Sequence, residues 1–304
     1  MQLKEIAAGL LFPEGPVVME DGSIVLVEIA RGTLSRVTPN GRVHVIAELG
    51  GGPNGAAVGP DGAIYVCNNG GFTWREQDGL LLPGGQPADY SGGRIERVDP
   101  ETGRFDILYT DCDGVDLKGP NDLVFDNEGG FYFSDLGKQR RFDMDIGRLY
   151  YAKADGSLIR EVAAPLVTPN GVGLSPDGKT LYSAETQTGR LWRFAVDGPG
   201  RLRDLEGLRP GSLVVGLPGF QLFDSLAVEA SGNICVATLI NGGITVISPD
   251  GTSAEHVPFP DPVTTNIAFG GPDLRTAYVT LSGTGRLVSC EWPRPGLRLA
   301  YPRR

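Results

Sequence analysis

Apolar positions in this chain fall into short runs separated by glycine, proline and acidic residues. No long stretch holds the 3.6-residue period of an amphipathic helix. The pattern is clearest from Thr168 to Glu185, TPNGVGLSPDGKTLYSAE. There a loop is followed by a polar residue (Asn170), a short apolar strand, a turn at Pro176, Asp177 and Gly178, and a second strand. A polar residue followed eight positions later by a turn glycine recurs at Glu14 and Gly22, Asn54 and Gly62, Asn121 and Gly129, Asn170 and Gly178, and Asp224 and Gly232. A sixth copy starts at Asn266 and keeps the acidic turn residue Asp273, with Leu274 in place of the glycine. Six copies of a strand-turn-strand unit predict a closed ring of small sheets.

Stretches such as GTLSRVTPNG, GRLYYAKADG, GRLWRFAVDG and GGITVISPDG supply a third strand to each unit, and a linking fourth follows. The expected fold is all-β: a six-bladed β-propeller with four-stranded antiparallel blades, forming a single domain over 1–304. Residues 2–10 read as one strand that completes the last blade and closes the ring. The insertion 70–92, GGFTWREQDGLLLPGGQPADYSG, leaves the second strand of its blade near the registered polar residues. Its Phe72, Trp74, Leu80, Leu81, Leu82 and Tyr90 make it a partial lid rather than a linker. Gly50 to Gly55 satisfy G-x-G-x-x-G, but Pro53 interrupts the motif and strand-turn-strand follows, which is the wrong context for a dinucleotide loop.

Composition removes several function classes. The formal net charge is −10 and no basic run stands out, so nucleic acid is not an expected partner. The N-terminal apolar run is too weak for a signal peptide, and nothing approaches the ~20 apolar residues of a membrane span. Cys67, Cys112, Cys235 and Cys290 lie far apart without paired spacing, and a reducing cytoplasm is the expected compartment.

In a propeller the first strand of each blade lines the central channel. Glu14, Asn54, Asn121, Asn170, Asp224 and Asn266 should therefore meet at one end of it. Asn-Gly at 54–55 and 170–171 is also a turn signal, but no turn rule asks for carboxylates at Glu14 and Asp224 in the same register. The only histidines, His44 and His256, lie outside that register, so a Ser-His-Asp triad and a His-rich zinc site are hard to build. Two carboxylates and up to four amide carbonyls make a hard oxygen site suited to Ca²⁺, or less tightly to Mg²⁺ or Mn²⁺. Without a cation, two carboxylates in an apolar-walled tunnel would repel each other strongly.

FPEGP at 12–16, GPND at 119–122, TPNGVGLSPDG at 168–178, Asp224 ahead of SLAVEASGN, and TNIAFGGPDLRTAYVT at 265–280 resemble the gluconolactonase and senescence-marker-protein (regucalcin-like) family. The resemblance covers nearly the whole chain in the family's order. It implies a six-bladed propeller with one divalent cation in the channel mouth, and hydrolysis of a small lactone. Ca²⁺ is the expected ion, with Mg²⁺, Mn²⁺ and Zn²⁺ the other candidates. The resemblance implies metal ligands at Glu14, Asn170 and Asp224, with Asp224 also the catalytic acid/base. Asn121 matches a position that binds metal in some members and substrate in others, and is expected beside Asp224 as the second catalytic residue. Asn54, and Trp74 and Tyr90 of the insertion, complete the expected substrate contacts. One departure stands out: where members acting on sugar lactones often carry an arginine that holds hydroxyls, this chain has Gly119. The same quartet of Glu, Asn, Asn and Asp also resembles diisopropylfluorophosphatase-type propellers that cleave phosphorus esters. A calcium-binding propeller without turnover and an interaction platform are the non-catalytic alternatives.

Overall fold

The second strand of every repeat is buried along nearly its whole length: Ile24–Glu28, Ile64–Asn68, Gly130–Asp135, Thr180–Glu185, Ile234–Leu239 and Thr276–Leu281. A strand buried on both faces needs a sheet on each side. The computed structural model, which describes residues 1–203 and 211–301, supplies them as a ring of six four-stranded antiparallel sheets. The strands nearest the axis are Pro13–Val18, Pro53–Val58, Pro120–Phe125, Pro169–Leu174, Leu222–Val228 and Thr264–Gly270, which open blades one to six. Each contacts the next, and the sixth returns to the first. The described residues contain no helix, and so none long and apolar enough to cross a membrane.

The hydrophobic core is divided in the same way, with one cluster between each pair of neighbouring blades. Between blades two and three it is aromatic, with the Tyr65 ring edge-on to Phe125 at 5.1 Å and Phe133 stacked on Tyr150 at 5.1 Å. The ring is closed by the N-terminal strand, Lys4–Ala7, which pairs antiparallel with Arg286–Glu291 as the outermost strand of blade six. This strand is shorter than the predicted 2–10. The two inserted hairpins are Trp74–Gln77 with Leu80–Pro83, inside the insertion, and Asp111–Cys112 with Val115–Asp116, which the sequence pattern did not announce. All four cysteines are buried and unpaired.

The turn register also holds. Gly22, Gly62, Gly129, Gly178 and Gly232 all have φ between 68° and 92°, and Leu274, the sixth member, takes φ 58°. Glycine occupies that conformation freely, whereas leucine does so at a steric cost. The polypeptide geometry of the repeat therefore persists where its residue identity does not.

A second polar register lies at the ends of the second strands. The carboxyl of Glu28 accepts Leu11 N–H at 2.8 Å, Asp135 accepts Lys118 and Gly119 N–H at 2.7 and 2.6 Å, and Glu185 accepts Val167 N–H at 2.7 Å. Asn68 Oδ1 does the same for Gly52 N–H at 2.9 Å. These side chains satisfy the loop that enters each inner strand, two or three residues before the registered polar position. Asp135 also accepts Gly137 N–H at 2.9 Å, so Asp135→Ala strands three backbone donors. The expected loss is about 3 kcal/mol of unfolding free energy, measured by urea denaturation with an unchanged slope.

Candidate active site

Each inner strand carries an irregularity in its pairing at the registered position: between Glu14 and Val17, Pro53 and Gly55, Pro120 and Leu123, Pro169 and Val172, Phe223 and Leu226, and Thr264 and Asn266. A bulge bends a strand and re-aims its side chains. Repeated six times, it lets six inner strands converge at one end of the channel. The glycines that follow explain how closely. A Cβ on Gly15 would lie 2.7 Å from Ala56 N, on Gly55 2.4 Å from Asn121 O, and on Gly171 2.6 Å from Leu226 N. Neighbouring blades touch backbone to backbone there, and only glycine fits.

Five of the registered residues, Glu14, Asn54, Asn121, Asn170 and Asn266, are buried, while Asp224 is partly exposed. Glu14 Oε2 accepts Asn266 Nδ2–H and Gly15 N–H, both at 2.7 Å, which joins blade six to blade one. Burial nevertheless pushes the Glu14 carboxyl up to about 7. Asp224 is held by Ser225 N–H at 3.1 Å and by the Asn170 amide, and it lies well above the usual carboxylate range, through burial first and the Glu14 charge second. Asn170 Nδ2 also donates to Thr186 Oγ1 at 3.1 Å, while its Oδ1 accepts Ser225 Oγ–H at 3.4 Å.

Sequence reasoning missed a third carboxylate. Asp122 stands where blades one, two and four have the glycines just described, and it is 8% exposed. Its oxygens accept Leu123 N–H at 2.9 Å and the Val172 N–H of the following blade, and share the single Ser225 hydroxyl hydrogen with Asn170 Oδ1. Burial and then the Glu14 charge push it up to about 8. The signal was the dipeptide Asn121-Asp122, an acid directly after a registered amide at the start of a strand.

The arrangement fits a cation. Asn121 Oδ1 is buried and accepts no hydrogen bond, so one amide oxygen of the ring has an open acceptor position. The Glu14 charge raises the pKa of both Asp122 and Asp224, and the Asp122 charge adds to the rise at Asp224. Among the described residues no three His, Cys, Asp or Glu side chains form a metal-ligating group, so an ion here would rest on mixed carboxylate and amide oxygens. For Asn170 to serve beside Asp224, its amide must turn to exchange nitrogen for oxygen.

The insertion folds over this end of the channel. The Trp74 ring packs 5.1 Å from Phe12, two residues before Glu14, and Leu81 N–H donates to Gly283 O at 2.8 Å, so the hairpin bridges blades one and six. Its outgoing leg is pinned to blade three by Lys138. That ammonium is 2% exposed, donates to Gly71 O at 2.6 Å and Asn69 Oδ1 at 3.0 Å, and lies 4.3 Å from the Phe72 ring centre. Burial pushes it down to about 7. Tyr90 stands beside the same ammonium, and its hydroxyl is committed to Lys118 O at 2.6 Å. Gly119 is not an empty position: a Cβ there would lie 2.5 Å from Gly137 O, because the loop after Asp135 fills the space.

A sequence profile of the SMP-30/gluconolactonase/LRE-like family matches residues 12–283. The chain belongs to that family. Among relatives, it is 27% identical over 275 residues to a gluconolactonase of Zymomonas mobilis, covering 82% of this chain and 70% of that one. It is 26% identical over 292 residues to the lactonase drp35 of Staphylococcus saprophyticus, covering 94% and 80%. Among solved structures, a calcium-binding regucalcin of Agrobacterium tumefaciens superposes with a TM-score of 0.72 at 20% identity, covering 97% and 94% of the two chains. That likeness establishes the common fold. The propeller and the family read from the sequence are both as expected.

Proposed function

We propose that this family member, acting as a single propeller domain, is a divalent-cation-dependent lactonase that opens a small lactone to its hydroxy acid. The lactone-hydrolysing relatives support the reaction class. The observation that carries the site is the buried, unpartnered Asn121 Oδ1 in register with the carboxyls of Glu14 and Asp224. In this reading Glu14, Asn170 and Asp224 hold the ion, with Asn121 beside them, and Ca²⁺ is favoured by the all-oxygen set. A bound divalent cation supplies Lewis-acid polarisation of the lactone carbonyl.

The chain's own groups do the rest. Asp224 is the one registered carboxyl open to solvent, so it is the group a water can reach. Its carboxylate takes a proton from the attacking water as the new C–O bond forms at the carbonyl carbon. The ring C–O bond then breaks, and the protonated Asp224 returns the proton to the departing alkoxide. Ser225 N–H and Asn170 orient the carboxyl, and Glu14 is kept in place by Asn266 and Gly15. Asn54, Trp74 and Tyr90 bound the substrate space. Trp74 serves by its ring on Phe12, and Tyr90 by its ring alone, since its hydroxyl is engaged.

Substrate preference follows from Gly119 and the insertion. No side chain fits at 119, so no guanidinium reaches sugar hydroxyls from there, while Phe72, Trp74 and Leu81 pack beside blade one. A site without a buried hydroxyl partner discriminates weakly, by ~1–3 kcal/mol per apolar contact. The expected result is kcat/KM for unsubstituted γ- and δ-lactones equal to or above that for gluconolactone. A hundredfold advantage for gluconolactone would overturn the preference and leave the lactonase reading standing.

A further inference from the structure

The insertion is built as a flap. Its strands Trp74–Gln77 and Leu80–Pro83 pair with each other. Thr73 closes the base, with its N–H on Gly85 O at 3.0 Å and its carbonyl accepting Gly84 N–H at 2.6 Å. Gly70 and Gly71, at φ 78° and 112°, precede this unit, and Gly84 and Gly85 end it. A hairpin that carries its own hydrogen bonds between glycine pairs can swing as one piece. It is seated by the Trp74 ring on Phe12, by Leu81 N–H on Gly283 O and by Gln86 N–H on Gln139 O, both at 2.8 Å.

Lys138 is a seat of a different kind, because its proton count depends on where the flap lies. Two of its contacts, Gly71 O and the Phe72 ring, belong to the outgoing leg, so lifting the flap lets water reach the amine. Its other neighbours stay in place: Asn69 N–H is bonded to Gly52 O at 2.8 Å, and the Tyr90 hydroxyl to Lys118 O. Two carboxylates favour the ammonium. Asp135, at the end of the preceding strand, is buried on three backbone N–H groups, and Asp145, from the following loop, is held in its charged form by Arg140 at 2.9 Å. Tyr90 is pushed up to about 12 by burial and stays neutral. Behind Asn69, Arg94 and Glu96 of blade two pair at 2.6 Å, and on the remaining side Lys118 pairs with Asp116 at 3.4 Å. Arg75, Glu76, Asp78 and Asp89 of the insertion, and Arg141 and Asp143 of the loop, are exposed. Burial under the flap outweighs both carboxylates. A neutral amine still has two N–H groups for Gly71 O and Asn69 Oδ1, so the closed seat suits it better than the ammonium.

We propose that Lys138 is the positioning residue of this flap: as a neutral amine it seats the Phe72–Trp74 wall over the site, and on taking up a proton it releases the flap. The motion stands on the contacts alone, whereas its effect on catalysis rests on the lactonase reading. Between about 7, with the flap closed, and the ordinary 10.5 in water, the open form holds the extra proton. Closure is therefore most favoured above that window. Its closed-to-open ratio falls by up to about tenfold per pH unit as pH drops through the window, and is flat below it.

The test is acrylamide quenching of tryptophan fluorescence in the intact protein from pH 9.5 to 6. Of the three tryptophans, Trp192 and Trp292 are buried in other blades, so added quenching reports Trp74 leaving Phe12. The wild-type quenching constant should rise about twofold as pH falls and level off below about 7. Trp74→Phe should abolish the rise. Lys138→Met keeps the stem and has no proton to gain, so its quenching should not change with pH, whatever its level. Quenching independent of pH in folded wild-type protein overturns the proposal without any variant. So does a rise in Lys138→Met equal to that of wild type, or one that survives Trp74→Phe. For a simple δ-lactone, the wild-type to Lys138→Met ratio of KM should rise about threefold from pH 8.5 to 6.5, with the kcat ratio unchanged. A constant KM ratio overturns the positioning role. Quenching needs no turnover, so a complete absence of lactone hydrolysis would count against the lactonase reading alone.

Discussion

Replacing Asp224 by alanine should reduce lactone hydrolysis by ~10²–10⁴-fold, the usual scale for loss of a positioned general base. Asp224 carries two roles in the proposed site, ion ligand and proton carrier, and no other registered carboxyl can take over the second. Glu14 is enclosed by Asn266 and Gly15, and Asp122 is turned toward Val172 and Ser225. Asn121→Ala removes an uncharged ligand and leaves the base, so its loss should be smaller. The check is kcat/KM for one simple δ-lactone in all three proteins at saturating Ca²⁺, with circular dichroism to establish folding. Activity of Asp224→Ala at a tenth of wild type or better would remove this residue from the mechanism.

The second large effect is on stability, and it depends on pH and on the ion together. Glu14 is raised from 4.5 to about 7 and Asp122 from 3.8 to about 8, both first by burial. In the ion-free protein the folded state therefore holds protons that the unfolded chain has released. Stability from these groups is fully present below the unfolded values and is lost as pH rises through the folded ones. For Glu14 that window runs from 4.5 to about 7, and for Asp122 from 3.8 to about 8. The loss from Glu14 alone is on the order of 3 kcal/mol, at about 1.4 kcal/mol per pKa unit. A divalent cation replaces the protons, so its stabilising effect should be small at pH 5 and large at pH 8. Other acids, such as Glu229 beside Arg294, lie below their ordinary value and work in the opposite sense. The quantity to measure is therefore the difference in Tm between Ca²⁺ and EDTA at each pH. A difference that is flat or shrinks from pH 5 to 8 would count against an ion held at Glu14 in contact with the field of Asp122.

Much of this architecture is local and periodic, and for that reason it was legible. The eight-residue spacing from a polar residue to a turn glycine fixes a strand and its turn within one hairpin. Six repeats of a hairpin that cannot cover its own faces leave a closed ring as the economical solution. Placing Glu14, Asn54, Asn121, Asn170, Asp224 and Asn266 in one register needed only that periodicity. The absence of histidine from the register needed only counting, and it already pointed to oxygen chemistry.

What lies across the channel from what was not legible, because those contacts join residues that no local rule connects. Asn266 and Glu14 share a hydrogen bond over 252 positions of chain, and Lys138 reaches Asn69 over 69. Asp122 looked like an ordinary neighbour of Asn121. It became a buried third carboxylate only when Val172 and Ser225 were brought against it from the next blades. Gly119 read as a missing side chain, whereas packing makes it a position where the Gly137 backbone admits none. The repeat, the ring and the residue types in the polar register could be read along the chain, since strand and turn periodicity are encoded within a few residues. Which carboxyls share a low-dielectric space, and how far burial shifts them, came from the folded ring alone, because desolvation and charge coupling depend on distances between blades that are far apart in the chain.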